Sequence, residues 1–265
     1  MNGLAARRLA NRHAIVTGAG GGIGAAIATS LVEAGANVTL AGRRVEPLEA
    51  LAETLGIGNV CIADGFDVTN EHAIASGLNK ARVRFGPIDI VVNNAGEGPT
   101  APFDKTTLEM WTNVISVDLT GVFLVTQAVL PDLRSYGRGA RIINIASTAG
   151  LTGYSYVSAY VAAKHGVVGL TRALALELAK TGITANAVCP GFTDTPLIKR
   201  SIETIVNKTG RTPADALKEF TKSNPQGQLV KPEEVADAVL WLASPTAGSI
   251  TGQAIAVAGG EVLAG

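Results

Sequence analysis

Residues 14–24 read Ala14-Ile15-Val16-Thr17-Gly18-Ala19-Gly20-Gly21-Gly22-Ile23-Gly24. A short apolar run passes straight into glycines, and an amphipathic stretch follows over 23–33. That order spells strand, tight turn, helix. Glycines permit the turn and let backbone N–H groups at the helix start approach a pyrophosphate. Several registers of a glycine motif fit this string, so its weight comes from the strand before it and the helix after it.

Outward from this unit the alternation continues. Apolar runs at 37–41, 59–63, 88–92, 140–146, 183–188 and 254–258 predict strands, and 47–55, 71–85, 108–133, 157–180 and 232–242 predict helices. Most strands are continuous apolar runs, as expected where helices cover both faces of a parallel sheet. Gly35, Gly86-Pro87 and Gly182 punctuate helix ends. The pattern predicts one doubly wound α/β sheet of seven parallel strands. No repeat or linker divides residues 1–265, which read as a single dinucleotide-binding and catalytic domain. The stretch 196–228 breaks the rhythm, and having no strand pattern it predicts a helical lid. Lys199, Arg200, Lys208, Arg211, Lys218 and Lys222 there outnumber Glu203, Asp215 and Glu219.

Composition sets outer limits. Lys plus Arg and Asp plus Glu both number 22, so net charge is zero and no broad basic surface for nucleic acid is expected. With 47% hydrophobic and 17% charged residues, the chain is not disordered. Cys61 and Cys189 make neither a CxxC pair nor a zinc set, and are expected to be buried thiols. His13, His72 and His165 have no metal-ligand spacing. Residues 1–12 carry Arg7, Arg8 and Arg12 without the apolar run of a signal peptide, and nowhere do eighteen apolar residues run together. A soluble cytoplasmic protein without a membrane partner is the expectation.

After the second strand stand Gly42-Arg43-Arg44, where an NAD enzyme often places an acid for the ribose 2′-OH. Arg43 offers a guanidinium fork for a 2′-phosphate, so NADP(H) is preferred over NAD(H). Later, Ser147 ends the fifth strand, and Tyr160 and Lys164 stand four apart on one helix face. A free phenol has a pKa of about 10. An ammonium nearby favours phenolate and suits such a group to acid/base work on a carbonyl or alcohol oxygen. Ser147 would hydrogen-bond that same oxygen. Tyr136, Tyr154 and Tyr156 have no lysine four residues on.

The chain resembles the short-chain dehydrogenase/reductase family across essentially its whole length. The likeness rests on Thr17 to Gly24, Asp67-Val68, Asn93-Asn94-Ala95-Gly96, Ser147 with Tyr160-x-x-x-Lys164, and Pro190-Gly191-Phe192-Thr193-Asp194-Thr195. The resemblance implies a Rossmann fold and hydride transfer between a nicotinamide cofactor and a ketone or secondary alcohol. It implies that Gly18, Gly22, Ile23 and Gly24 cradle the pyrophosphate, that Asp67 and Val68 meet the adenine, and that Asn94, Ala95 and Gly96 flank the ribose. Tyr160 and Lys164 would reach the nicotinamide ribose, and Pro190, Gly191, Thr193 and Thr195 the nicotinamide. A homotetramer is implied, with 250–260 near an interface.

Within the family, residues 164–169 and 183–191 look most like polyketide ketoreductases, β-ketoacyl thioester reductases and 3-hydroxyacyl-CoA dehydrogenases. A basic lid would suit the phosphates of a CoA or phosphopantetheine substrate. A free small alcohol, hydroxy acid or sugar is the alternative, and a non-catalytic dinucleotide-sensing module the remote one. One departure stands out: the family usually has Asn where this chain has Asp118. Asp118 is expected in the proton relay beside Lys164. Glu97, Thr148, Tyr154, Tyr156 and Phe192 are candidates for the substrate pocket.

Overall fold

A computed structural model describes residues 8–263. The reading of the amino-terminal segment falls largely on residues 1–7, outside the described residues. Strands and helices alternate as β1 His13–Thr17, α1 Gly22–Glu33, β2 Asn37–Ala41, α2 Val45–Leu55, β3 Val60–Ala63, α3 Glu71–Phe85 and β4 Ile90–Asn93. The second half runs α4 Leu108–Ile115, α5 Gly121–Tyr136, β5 Arg141–Ile145, α6 Ser158–Leu178, β6 Thr184–Pro190, α7 Pro196–Thr209, α8 Pro213–Thr221, α9 Pro232–Ala243 and β7 Ala254–Val257. The seven strands form one parallel sheet in the order β3-β2-β1-β4-β5-β6-β7.

Strand alternation divides the core into two layers. Val16, Leu40, Val92 and Ile145 pack with α1 and α9, through Ile27, Leu31, Val235 and Val239. Ile15, Ala41, Val91 and Ile142 face the other way, onto α3, α5 and α6 through Leu78, Val129 and Leu178. Local signals close the helices. Asn70 accepts a hydrogen bond from the Ala73 N–H at the start of α3, and Gly86 follows its end with φ of 79°, in the region that favours glycine. Strand order reverses between β1 and β4, which opens a crevice at the carboxyl ends of the strands.

One expectation is modified. The helix predicted over 108–133 is a continuous helical run to Tyr136, interrupted by a π-turn at Ser116–Thr120. This run, Leu108–Tyr136, is long and apolar enough by length and composition to cross a bilayer, with mean hydropathy 1.7 over eighteen residues. Here the run packs over the sheet and carries the fully buried Asp118. The lid is the helical pair α7 and α8. Its ends are pinned together by the Asp194 N–H to the Val230 carbonyl (2.8 Å) and the Val230 N–H to the Phe192 carbonyl (2.9 Å).

Candidate active site

The glycine loop is shaped by close approach. A Cβ on Gly24 would lie 2.3 Å from the Gly18 carbonyl oxygen, and Gly18 itself has φ of 65°. Asn94 holds this loop to β4: its Nδ2 donates to the carbonyls of Thr17 (2.9 Å) and Gly18 (3.2 Å). Thr17 Oγ1 in turn accepts the N–H groups of Asn94 (2.9 Å) and Ala95 (3.0 Å). The side chain of Asn94 is therefore a clamp on the loop. No acidic residue occupies the first turn of α1, and a Cβ on Gly21 would meet nothing within 4 Å. Backbone donors at a helix N-terminus above open space fit a pyrophosphate.

That space is a cleft of about 900 Å³ lined by Gly18, Gly22, Ile23, Gly24, Arg43, Asp67, Val68, Asn94, Ala95, Gly96 and Thr195. Arg43 is exposed at its wall. Asp67 Oδ1 accepts both the N–H (2.9 Å) and the hydroxyl (2.7 Å) of Thr69. These bonds, with a smaller contribution from Arg43, hold its carboxyl below the usual range. The residues present thus fit a nicotinamide dinucleotide.

A second cavity of about 300 Å³ adjoins the cleft, sharing Ile23, Asn94, Gly96, Glu97, Thr195 and Leu197 with it. Ser147, Tyr160, Lys164 and Asp118 all line this cavity, together with Pro190, Gly191 and Thr193. Ser147 Oγ accepts the Ala149 N–H at 3.1 Å, which leaves its hydroxyl proton for another acceptor. Lys164 Nζ donates to the Ile145 carbonyl (3.1 Å), lies 3.1 Å from Asp118 Oδ2, and stands 5.4 Å from the centre of the Tyr160 ring. Burial would lower the Lys164 ammonium. The Asp118 carboxylate and then Tyr160 outweigh it, leaving the group above its ordinary value.

The backbone around this pair is built for contact. Asp118 sits on the π-turn, and π-turns in helices recur at functional sites. Its Oδ1 accepts the Glu97 N–H at 2.9 Å. A Cβ on Gly96 would lie 3.0 Å from Asp118 Oδ2 and 3.4 Å from Lys164 Nζ, so glycine keeps room for the pair. Gly166 lets Leu119 approach α6, since a Cβ there would come within 2.7 Å of Leu119 Cδ2.

The pocket candidates separate. Glu97, Thr148, Tyr154 and Phe192 line the cavity, whereas Tyr156 is 65% exposed and lines neither space. Its backbone, with φ of 69°, turns its carbonyl to accept the Ala101 N–H. The lid supplies Leu197, Ile198, Ser201 and Phe220 to the cavity. Four of its six cations are held in ion pairs by three carboxylates. Lys199 pairs with Asp194, Arg211 and Lys222 with Glu219, and Lys218 with Asp215. Of the six lid cations, Arg200 alone lines the cleft. Cys61 is half-buried and not buried as expected, while burial pushes the Cys189 thiol up to about 11. His72 and His165 are exposed and His13 is buried.

One group escaped sequence reasoning. Glu261 lies beyond the last strand yet reaches the far side of the cavity wall. Its Oε1 accepts the hydroxyls of Tyr154 (2.8 Å) and Ser223 (2.6 Å). No local signal marks it, because its partners stand 107 and 38 residues away.

The family model described as short chain dehydrogenase matches residues 12–206. The chain belongs to the short-chain dehydrogenase family. A putative ketoacyl reductase of Streptomyces coelicolor is 42% identical over 250 residues, covering 93% of this chain and 95% of the relative. An acetoacetyl-CoA reductase of Rhizobium meliloti is 40% identical over 256 residues, covering 96% of this chain and 100% of the relative. A D-beta-hydroxybutyrate dehydrogenase of the same organism is 38% identical over 253 residues, 94% of this chain and 98% of the relative. Among solved structures, an actinorhodin polyketide ketoreductase variant with NADPH superimposes with a TM-score of 0.89 at 39% identity, over 97% of this chain and 98% of the other. This short-chain dehydrogenase is an NAD(P)-dependent oxidoreductase acting on CH–OH groups, as the sequence motifs implied.

Proposed function

We propose that this dehydrogenase reduces a β-ketoacyl thioester, or a related polyketide-like ketone, with NADPH, and oxidises the matching secondary alcohol in reverse. The observation that carries the reading is the meeting of Ser147, Tyr160 and the Asp118-paired Lys164 in a cavity that opens onto the dinucleotide cleft. The similarity to reductases named for ketoacyl and acetoacetyl-CoA substrates supports the substrate class. Arg43 on the cleft wall supports the 2′-phosphate. Arg200 is the lid cation best placed for a further phosphate.

The dinucleotide, when bound, supplies hydride-transfer chemistry at its nicotinamide ring. Ser147 donates its free hydroxyl proton to the substrate oxygen and fixes the carbonyl. As the carbonyl carbon gains a hydride, Tyr160 passes its phenolic proton to the developing alkoxide. The Lys164 ammonium stabilises the negative charge left on Tyr160, and Asp118 holds that ammonium in place. Oxidation uses the same atoms in reverse, with Tyr160 accepting the alcohol proton.

We further infer a single domain over 1–265, a cytoplasmic location and a homotetramer. The exposed Leu108, Trp111 and Phe123 on the α4–α5 run support self-association, because large apolar side chains in one layer invite a partner. The deciding assay follows nicotinamide absorbance with acetoacetyl-CoA, using NADPH or NADH. NADPH oxidation that Tyr160→Phe removes, about a hundredfold or more with dinucleotide binding kept, is expected. Tight dinucleotide binding without turnover on this or any neutral ketone overturns the reading and leaves a dinucleotide-sensing module.

A further inference from the structure

The relatives do not choose between a thioester and a free acid. A reductase named for a CoA thioester and dehydrogenases named for hydroxybutyrate match this chain about equally well. The charge around the cavity does choose. Its wall is largely apolar, made by Ile145, Ala146, Phe192, Leu197, Ile198 and Phe220. Among the described residues Lys164 is the one basic side chain that lines it, and Asp118 at 3.1 Å already neutralises that ammonium.

Two carboxylates stand at the cavity without a cation of their own. Glu97 lines it directly where it meets the dinucleotide cleft. Glu261 lies behind the wall that Gly191 and Tyr154 form. A Cβ on Gly191 would come 2.8 Å from its Oε2, and its Oε1 receives the Tyr154 hydroxyl. Neither Glu97 nor Glu261 forms an ion pair among the described residues. The Tyr154 hydroxyl lies within hydrogen-bonding distance of both Glu261 Oε1 (2.8 Å) and Thr148 Oγ1 (2.9 Å), so its one proton is engaged within the wall. Burial and then the bonded carboxylate raise this phenol to about 12, so it stays protonated.

We propose that Glu97 and Glu261 determine specificity by flanking the substrate cavity with uncompensated negative charge, which restricts it to ketones and alcohols whose carboxyl group, held in the cavity beside the reacting carbon, is esterified and so uncharged. Free keto and hydroxy acids are excluded. An anionic substrate would leave water for an apolar cavity that offers no free cation, and would meet like charge on two sides. An ester or thioester of the same skeleton carries no such penalty. The inference rests on the ketone-reducing reading above and narrows its substrate class.

The test compares ethyl acetoacetate with acetoacetate as substrates of the NADPH-loaded protein, in wild type, Glu97→Gln and Glu261→Gln. Glutamine at 261 keeps an acceptor oxygen for Tyr154 and Ser223 while removing the charge. The expected kcat/KM for the ester exceeds that for the acid by on the order of a hundredfold. Each substitution should raise the acid-to-ester ratio about tenfold. Wild-type rates on the acid close to those on the ester, or a ratio that moves in neither variant, overturn the proposal. If neither compound turns over, the ketone-reducing reading is what fails. Titration of the NADP+-loaded protein then decides the charge question with methyl 3-hydroxybutyrate and 3-hydroxybutyrate as probes. Weaker binding of the acid, relieved in the glutamine variants, supports the proposal, and equal binding overturns it.

Discussion

Lys164 Nζ stands 3.1 Å from Asp118 Oδ2, with the two side chains 4% and 0% exposed. Asp118 reaches this position because the helix widens to a π-turn at Ser116–Thr120 and turns the carboxylate inward. Asp118 thus sets a full negative charge against the ammonium. An ammonium held this way is fixed in both place and protonation state, at the cost of burying a carboxylate.

Removing one partner exposes that dependence. Asp118→Ala leaves an unpaired buried ammonium, and breaking a buried pair costs about 3–5 kcal/mol. Asp118→Asn keeps the hydrogen-bonding shape and should lose less stability. Asp118 also raises the Lys164 pKa above its unfolded value. The pair's stabilisation is therefore complete below the unfolded lysine pKa and is lost as pH rises through the folded value. In Asp118→Asn burial acts unopposed by that carboxylate, so the alkaline limb of kcat/KM against pH should move to lower pH. Turnover and pH profile both unchanged in Asp118→Ala would remove Asp118 from the site.

Two glycines three residues apart should answer differently to alanine. At Gly24 the new Cβ would meet the Gly18 carbonyl at 2.3 Å and Asn94 Nδ2 at 2.5 Å, both parts of the loop clamp. Overpacking of this kind costs about 1–3 kcal/mol and would displace the loop. Gly24→Ala should lower Tm and weaken dinucleotide binding together. At Gly21 nothing lies within 4 Å, and φ of 168° is extended backbone. Gly21→Ala should leave Tm unchanged. Calorimetry of the two variants without dinucleotide makes the comparison, and equal melting would contradict the clamp.

His13 gives the fold an acid-sensitive point that lines neither the cavity nor the cleft. It is buried at the start of β1, with Nδ1 2.9 Å from the Gly86 carbonyl and Nε2 3.0 Å from Thr39 Oγ1. Burial holds the imidazole below its ordinary value, although the Gly86 carbonyl and Asp89 pull the other way. The folded protein thus prefers neutral histidine. Its contribution is whole above the unfolded value of about 6.5 and fades as pH falls through the folded value, by at most about 1.4 kcal/mol per pH unit. Urea midpoints between pH 5 and 8 should fall on the acid side for wild type and fall less for His13→Gln. Parallel curves would show that another group carries the acid sensitivity.

The sheet was legible because its determinants are local. Continuous apolar strands, glycine turns and helix caps lie within a few residues of what they control, and the parallel order follows from covered strands. Ser147, Tyr160 and Lys164 were legible for the same reason, through strand-end placement and helical spacing. What eluded reading depends on contacts across the chain. The π-turn is one extra residue in a helical ladder and leaves no mark in hydrophobic periodicity. The ion pairing of the lid is equally non-obvious in the sequence: Asp194, Asp215 and Glu219 engage four of its six cations. Glu261 reaches Tyr154 only because β7 lies beside β6 and the tail then folds over Gly191.

Cofactor choice tests the least local of these assignments. Arg43 is exposed on the dinucleotide cleft just past β2, where Gly42 leaves space, and its charge helps hold the Asp67 carboxyl ionised. A guanidinium there can fork onto a 2′-phosphate, a charge-assisted contact worth roughly 1.5–3 kcal/mol. Arg43→Asp removes that contact and sets a carboxylate where the phosphate would lie, while offering an acceptor to a ribose 2′-OH. NADPH affinity should therefore fall about ten- to a hundredfold, with NADH affinity held or improved. Fluorescence titration of both nucleotides against wild type and variant reads the two constants directly. Equal losses would mean that Arg43 shapes the cleft without touching the phosphate, and the proposed preference for NADPH would lose its support.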